Sequence, residues 1–338
     1  MNKLSKITAL MSVYNGELFI RETIESVLNQ SYRNFEFIII DDGSEDSTLE
    51  IIKSYTDPRI RLFSNGKNLG IPSSLNFGID MSQGEYIVKI DSDDIQHVDR
   101  FKEQLLFMKN NPEIVLCKTL VDYFPNNREI EITQRYKNIK NTIEKYKNIT
   151  KTTEDISSRL KWYCCISHSS MMIKTEVLKQ YKYRDLPVFE DYDLFYRMNE
   201  DRLKIGHLDK MLVKIRVSEQ STTVLRKQKL DRCAYFLKEK NFNHLKQNNN
   251  VYVWGSGSFG QSVIKLLNEK GWEISGFIDS NPLKNGQSIN GYKVFSPEII
   301  NSLKENKVII ASQPGMFDII NYLKNFGYKS EEDFMVVR

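Results

Sequence analysis

The sequence predicts an α/β protein, with a mostly parallel, doubly wound sheet followed by a second and smaller α/β unit. Short apolar runs alternate with segments whose apolar residues recur at helical spacing. Two acidic clusters, Asp41-Asp42-Gly43-Ser44 and Asp91-Ser92-Asp93-Asp94, each follow directly on such a run. That is where a parallel sheet delivers its functional groups, so the two clusters are expected to converge on one crevice. Late in the chain, the turn Gly255-Ser256-Gly257-Ser258-Phe259-Gly260 follows another apolar run and opens a helical pattern.

Taken in order, the first elements are a strand at Ile7–Val13 and a helix at Leu18–Gln30. The helix is read from Ile20, Ile24, Val27 and Leu28. Phe37, Ile38, Ile39 and Ile40 form the unbroken run of a strand buried on both faces, placed at Phe35–Ile40. A helix at Thr48–Tyr55, a strand at Ile60–Phe63, a helix at Ser73–Met81 and a strand at Tyr86–Ile90 continue the alternation, and a helix at Val98–Asn110 follows the second acidic cluster. Residues 118 to 160 are less regular. Tyr136, Ile139, Ile143 and Tyr146 suggest an amphipathic helix with a lysine-rich outer face. A strand at Ser169–Ile173, a helix at Asp191–Glu200 and a strand at Met211–Val217 complete the first domain. A helix marked by Leu230, Cys233, Ala234 and Leu237 then runs into the polar stretch Gln247–Asn250. The expected division is a catalytic domain at 1–225, a basic helical connector at 226–250 and a Rossmann-like domain at 251–338.

Composition narrows the chemistry. The 338 residues carry a net charge of +4, and the excess is local. Residues 226–250 hold seven basic against two acidic side chains, and Arg135–Lys151 holds six against Glu144 alone. Each segment reads as a solvated helix face or as a contact for an anionic membrane or a phosphate-bearing acceptor. No apolar run approaches the roughly 20 residues that cross a bilayer, and no secretory pattern precedes the first strand, so a cytoplasmic location is expected. Four histidines and four cysteines without CxxC spacing argue against zinc and for reduced, structural thiols. Nothing points to nucleic acid.

The acidic clusters suit a hard cation. Asp91 and Asp93, one residue apart after a buried strand, can divide between a Mn²⁺ or Mg²⁺ ion and a ribose, because these ions take one or two carboxylates plus substrate oxygens. Taken alone, such a pair is more readily a strand-end turn with helix-capping acids. Asp42 at the end of the second strand can accept hydrogen bonds from a nucleoside, with Gly43 letting the backbone turn past it.

Ser12-Val13-Tyr14-Asn15-Gly16-Glu17, Ser26-Val27-Leu28-Asn29-Gln30, Asp41-Asp42-Gly43-Ser44, Asn68-Leu69-Gly70, Gly84-Glu85-Tyr86-Ile87 and Asp91-Ser92-Asp93-Asp94 occur in that order. Together they resemble a family 2 glycosyltransferase of the GT-A fold, densely over residues 5 to 115 and more thinly to about 225. The resemblance implies a nucleotide-sugar donor, usually a UDP-sugar, a Mn²⁺ or Mg²⁺ ion and inversion at the anomeric carbon. It assigns Ser12, Tyr14, Glu17, Asp42 and Lys67 to the nucleoside side, Asp91 to ribose or metal, and Asp93 to the metal first. Phe189-Glu190-Asp191-Tyr192 matches the acidic pair that supplies the base, with Asp191 as base and Glu190 orienting it. His168-Ser169-Ser170 resembles an acceptor-side His-Pro-Ser segment without its proline. Arg216-Val217-Ser218 carries serine where many relatives have the histidine of Arg-x-His.

The implied activity is transfer of a sugar to a glycan or lipid-linked acceptor in surface polysaccharide or glycoconjugate assembly. Two rivals remain. One is a nicotinamide-dependent sugar-nucleotide enzyme centred on Gly255 and Asp279, although the short second domain is expected to hold only half of a dinucleotide-binding sheet. The other is a non-catalytic nucleotide-sugar-binding or scaffold protein.

Overall fold

The computed structural model describes residues 6–186, 188–219, 243, 245–246, 250–302, 306–312 and 315–337. The expected helix at Leu230–Leu237 and most of the expected connector lie outside these residues. The chain divides into two compact units. One comprises Met1–Leu160, Cys164–Leu186 and Glu190–Leu225, and the other Lys161–Tyr163, Pro187–Phe189 and Arg226–Arg338.

The first unit is built on an eight-stranded sheet among the described residues. Its strands are β1 (Ile7–Val13), β2 (Phe35–Asp41), β3 (Ile60–Ser64), β4 (Tyr86–Ile90), β5 (Ile95–Gln96), β6 (Ile114–Pro125), β7 (Met172–Lys174) and β8 (Lys204–Val217), in the order β3-β2-β1-β4-β7-β6-β8-β5. The four strands β3, β2, β1 and β4 run parallel, as the alternation of strand and helix predicts. β7 then pairs antiparallel to both β4 and β6, and β6 runs parallel to β8. The sheet is therefore a parallel half joined to a mixed half. Every residue of β2 is buried, which is why its apolar run does not alternate. β3 lies at the edge and stays half exposed.

Helices cover the sheet where their apolar stripes dictate. α1 (Ile20–Leu28) buries Ile20, Thr23, Ile24 and Val27, two residues shorter at each end than its sequence pattern. α2 (Thr48–Lys53), α3 (Ile71–Met81) and α4 (Arg100–Asn110) follow. Phe101 of α4 meets Phe35 edge to face at 5.3 Å within the core that also holds Met11, Ile39, Val88 and Ile90.

The irregular stretch resolves into a strand and an excursion. β6 is a twelve-residue strand that the sequence pattern hides, because Lys118, Thr119 and Asp122 break its apolar run. Residues 126–171 then leave β6 and return in β7. They form α5 (Arg128–Ile132), α6 (Gln134–Asn138), a wide helical turn at Ile139–Ile143, α7 (Glu144–Asn148), α8 (Thr153–Leu160) and a single 3₁₀ turn at His168–Ser170. The strand expected from Ser169 begins at Met172, since that 3₁₀ turn occupies its start. α9 (Thr175–Tyr181) and α10 (Glu190–Glu200) lead to β8.

The second unit holds β9 (Val251–Trp254), α11 (Ser258–Glu269), β10 (Ile274–Ile278), β11 (Ser288–Ile289), β12 (Tyr292–Phe295), β13 (Lys307–Ile310), α12 (Met316–Asn325) and β14 (Phe334–Val336). Its sheet order is β11-β12-β10-β9-β13-β14, with β12, β10, β9, β13 and β14 parallel. Five parallel strands exceed the half-sheet expected. Strands of only three to five residues allow them to fit in so short a segment.

Candidate active site

Three strand ends meet. Val13 of β1 is in register with Asp41 of β2, and Met11 with Ile90 of β4, so the segments that follow lie side by side. Thr23 Oγ1 donates to the Ser92 carbonyl at 3.0 Å, and a side chain added at Gly16 would come within 3.7 Å of Ser92 Oγ. The loop after β1 is laced to the loop after β2. Asn15 N donates to Ser44 Oγ at 3.0 Å, Gly16 N to Thr48 Oγ1 at 2.8 Å, and Ser47 N to the Glu17 carboxylate at 3.0 Å.

These bonds sort the residues assigned to the nucleoside side. Tyr14 is 42 % exposed just past the end of β1 and Ser12 half buried within it, so both have surface to offer at this end of the sheet. Glu17 is exposed, but its carboxylate takes the Ser47 amide. Asp42 is buried: its Oδ1 accepts from Asn65 Nδ2 at 2.8 Å and Leu69 N at 2.9 Å, and its Oδ2 from Gly70 N at 2.9 Å. In this structure Asp42 fixes the Asn68-Leu69-Gly70 loop. Gly43, at φ +75°, packs on that loop so closely that a Cβ would lie 2.5 Å from the Lys67 backbone. No other residue type fits there. The Lys67 side chain itself is exposed beside this turn.

The second acidic cluster rests on buried cations. Lys89, inside the apolar strand β4, places Nζ 2.5 Å from Asp91 Oδ1 and donates to the Ile90 carbonyl at 2.7 Å. Burial works to raise the Asp91 carboxyl, but Lys89, His168 and Arg100 together hold it below the usual carboxylate range. Arg100 is fully buried beneath the cluster and donates to the Met171 carbonyl at 3.1 Å. Arg216 lies between the rings of Phe19 and Phe124, at 4.5 and 4.6 Å. Its Nε donates to the Asp93 carbonyl at 3.0 Å, its amide to Asp94 Oδ1 at 3.0 Å, and its guanidinium also pairs with Glu22. That guanidinium is thus committed to shaping the acidic loop. Ser218 is buried, and its carbonyl accepts from Arg135 at 2.8 Å.

Asp93 stands apart from its neighbours. Its carboxylate bonds to its own amide, and burial followed by the Asp91 charge pushes it up to about 6. The same causes, with the Asp93 charge added, raise Asp94 well above the usual range, and Asp94 Oδ2 is a buried oxygen without a hydrogen-bond partner. Among the described residues no group of three or more His, Cys, Asp or Glu encloses an ion. The Asp93 carboxylate, with those of Asp91 and Asp94 beside it, is the oxygen donor chemistry that Mn²⁺ or Mg²⁺ takes together with substrate oxygens. A divalent charge there would offset the crowding that raises Asp93.

The acidic pair late in the domain reaches the same crevice. Phe189 takes φ +64°, a left-handed conformation costing roughly 1–2 kcal/mol, and directs the chain into α10. Glu190, Asp191 and Asp193 share the first turn of α10, where the helix dipole favours negative charge. Asp193 is buried and paired with Arg197 at 2.8 Å, so its role is structural. Asp191 is half buried: Oδ1 accepts from Tyr192 N at 2.7 Å, and the Cys164 thiol lies 3.9 Å from Oδ2. His168 joins the two acidic groups. Its Nε2 is 2.7 Å from the Tyr183 hydroxyl, and burial first and Lys89 second push it down to about 4 against the pull of Asp191 and Asp91. The imidazole is neutral at ordinary pH.

The structure therefore brings Ser12, Tyr14, Asp91 and Asp93 to the carboxyl ends of β1 and β4, sets Asp191 near the His168 that Asp91 also influences, and turns Asp42 and Glu17 to holding loops. Lys89, Arg100 and Tyr183 were missed in the sequence. Only Lys89 carried a signal, a lysine inside an apolar strand. A cleft of about 570 Å³ lined by Glu85, Tyr86, Lys109 and Lys174 sits at the opposite end of β4 and shares none of these groups.

In the second unit the glycine turn closes as its pattern demands. A Cβ on Gly260 would lie 1.8 Å from the Gly255 carbonyl oxygen, and Gly255 takes φ +117°. Asp279 Oδ2 accepts from Ser256 N at 3.0 Å and Lys284 Nζ at 2.9 Å. Burial works to raise this carboxyl, but the bonds from Ser256, Asn281 and Lys284 hold it at about 2. Its oxygens serve the turn itself.

Residues 8–182 match the family profile described as Glycosyl transferase family 2, and residues 247–333 match one described as C2185-like, N-terminal. An uncharacterized glycosyltransferase of Methanocaldococcus jannaschii is 31 % identical over 254 residues, covering 73 % of this chain and 83 % of its own. A second, from Haemophilus influenzae, is 28 % identical over 250 residues, covering 72 % and 75 %. S. aureus TarS 1–349 in complex with UDP-GlcNAc aligns with a TM-score of 0.54 at 19 % identity, over 70 % of this chain and 67 % of that one. The mannosyltransferase PcManGT from Pyrobaculum calidifontis, in complex with GDP-Man and Mn²⁺, gives 0.53 at 15 % identity, over 72 % and 65 %. The two solved structures show the GT-A fold, and the profile with the archaeal relative shows the activity class, a glycosyltransferase acting on a nucleotide-sugar donor. By these matches, together with the strand-end acids described above, the chain belongs to glycosyl transferase family 2.

Proposed function

We propose that the first unit transfers a sugar, with inversion and with help from Mn²⁺ or Mg²⁺, from a UDP-sugar to a hydroxyl of a glycan or lipid-linked acceptor. The observation that supports this reading best is the place of His168, bonded to Tyr183 at 2.7 Å, where both it and Tyr183 lie within electrostatic reach of Asp191 and Asp91. S. aureus TarS bound to UDP-GlcNAc supports the choice of uridine, and PcManGT bound to Mn²⁺ supports the cation.

Tyr14 offers its exposed ring to the base, and Ser12 its hydroxyl to the nucleoside. Asp93 is the ligand for the cation, with Asp91 beside it held in place by Lys89. The bound cation would neutralise charge developing on the departing diphosphate. Asp191 accepts the proton of the acceptor hydroxyl as that oxygen bonds to the anomeric carbon and the carbon–diphosphate bond breaks in line. Glu190, its neighbour in the first turn of α10, orients that carboxylate.

The test is calorimetric titration of UDP with and without Mn²⁺, on the protein and on Asp93→Ala. Binding that requires both the ion and Asp93 supports the reading, and binding indifferent to both overturns it. Asp191→Asn should bind UDP as the parent does and fail to transfer.

A place at the inner face of the membrane is part of the proposal and rests on residues 226–250. In the other basic segment, Arg135, Lys140, Lys147 and Lys151 are engaged by protein partners, leaving Lys137 and Lys145 exposed. No helix among the described residues is long and apolar enough to cross a membrane. Flotation with anionic liposomes at low salt checks this, and failure to float removes it.

A further inference from the structure

The lysine-rich segment Arg135–Lys151 reads in sequence as an outward face, yet Lys147 turns inward toward the reacting groups. Its Nζ donates to the Ile166 carbonyl at 2.7 Å. The same carbonyl accepts from the Cys164 thiol at 3.2 Å, and that sulfur lies 3.9 Å from Asp191 Oδ2. Lys147 thus stands one carbonyl and one thiol behind the carboxylate assigned as base.

Its position is fixed from several sides. Lys118, buried in β6, donates to the Lys147 carbonyl at 2.7 Å. The adjacent Asn148 is clamped to Val121 of β6, accepting from its amide at 3.0 Å and donating to its carbonyl at 2.8 Å. A surface lysine with four free torsions has no such scaffold. Burial opposes the charge on Lys147, but the negative charge of the Asp191 carboxylate favours it, so the ammonium keeps its proton. The thiol between the two is itself inert, since burial pushes it up to about 12.

The charges of the crevice show why a cation is placed here. Asp91, Asp93 and Asp94 have Lys89, Arg100 and Arg216 around them. Lys147 is the half-buried cation whose bonds lead to Asp191 instead. A tie between α7 and the 164–166 segment needs only a hydrogen-bond donor. Keeping a full charge in a desolvated place, at the cost that burial imposes, is explained by the carboxylate it faces.

We propose that Lys147 is a positioning residue for the transfer reaction: it holds the Cys164–Ile166 segment against Asp191 and keeps a positive charge behind that carboxylate. The inference rests on the reading of Asp191 as base. Hydrolytic UDP release serves as the assay, with whichever of UDP-glucose, UDP-galactose and UDP-N-acetylglucosamine the parent turns over. The variants are Lys147→Gln, which retains a donor for Ile166 without the charge, Lys147→Arg, which retains the charge, and Asp191→Asn.

Lys147→Gln should lower kcat about tenfold or more while KM for the donor and Kd for UDP with Mn²⁺ stay within about twofold. Lys147→Arg should recover most of the lost kcat. A Lys147→Gln protein with parental kcat overturns the proposal. So does one that loses UDP binding and melting temperature together, since that is a role in folding only. If Asp191→Asn keeps its activity, the reading of the base fails. If Asp191→Asn is dead and Lys147→Gln is fully active, the base stands and Lys147 alone is wrong.

Discussion

Replacing Asp42 by asparagine tests whether this residue builds the donor pocket or touches the donor. The carboxylate is 3 % exposed and accepts from Asn65, Leu69 and Gly70. The best rotamer of asparagine keeps its oxygen toward Asn65 and Leu69 and turns an amide N–H toward the Gly70 N–H. One charge-assisted bond is then lost, the other two weaken, and two donors face each other in a buried place. Gly70 N retains a second acceptor, Asn68 Oδ1 at 3.1 Å, which limits the damage. The sum is about 3 kcal/mol, from roughly 1.5–3 for a bond to a charged group and 1–3 for a stranded donor, less that relief. For a unit of this size the melting temperature should fall by roughly 6–12 °C. Thermal unfolding of the full chain measures this, alongside calorimetric titration of UDP. A direct nucleoside contact would give the opposite pattern. A variant that melts within about 1 °C of the parent and binds UDP more than tenfold more weakly refutes the loop-holding argument.

Other outcomes follow from the same reasoning. Arg216→Lys keeps a charge but loses the planar fork between Phe19 and Phe124, and should destabilise the first unit by about 2 kcal/mol in urea unfolding and weaken Mn²⁺-dependent UDP binding. Asp279 has its folded-state pKa held down at about 2 against an ordinary 3.8. Its stabilisation is therefore complete above 3.8 and lost as pH falls through 2. Asp279→Asn should cost about 1–2 kcal/mol at pH 7 after allowance for partial exposure, and leave UDP binding unchanged in titration. Burial pushes Cys117 and Cys164 up to about 12 and Cys165 to about 11. Mass spectrometry after iodoacetamide should find these three unmodified in the native protein at pH 8 and modified in urea.

The parallel half of the sheet could be read from sequence because its information is local. An unbroken run such as Phe37–Ile40 has few alternatives to a doubly covered strand, and an acid just past it is at the carboxyl edge by construction. The mixed half was hidden for the converse reason. Lys118, inside β6, breaks the apolar pattern, and only the return of residue 147 to cap its ammonium makes a buried lysine tolerable. The same holds in the site. Asp93 and Asp191 could be proposed from sequence because each lies in a short motif. Asp42 was assigned to the donor, although bonds from residues 65 to 70 claim it, and distant partners of that kind leave no trace near a motif.

The excursion at residues 126–171 begins and ends in strands already fastened to one another, with Leu116 opposite Ile173 and Cys117 opposite Met172. A loop whose ends are pinned in this way grows at little cost, about 0.6 kcal/mol for each doubling of its length. Lys147, Cys164 and His168 all belong to it, whereas the residues proposed for the nucleotide side follow β1, β2 and β4. One half of the crevice behaves as a fixed chassis and the other as an exchangeable cassette. A protein built this way can acquire a new acceptor by remodelling one closed loop while the parts that grip the donor stay as they are.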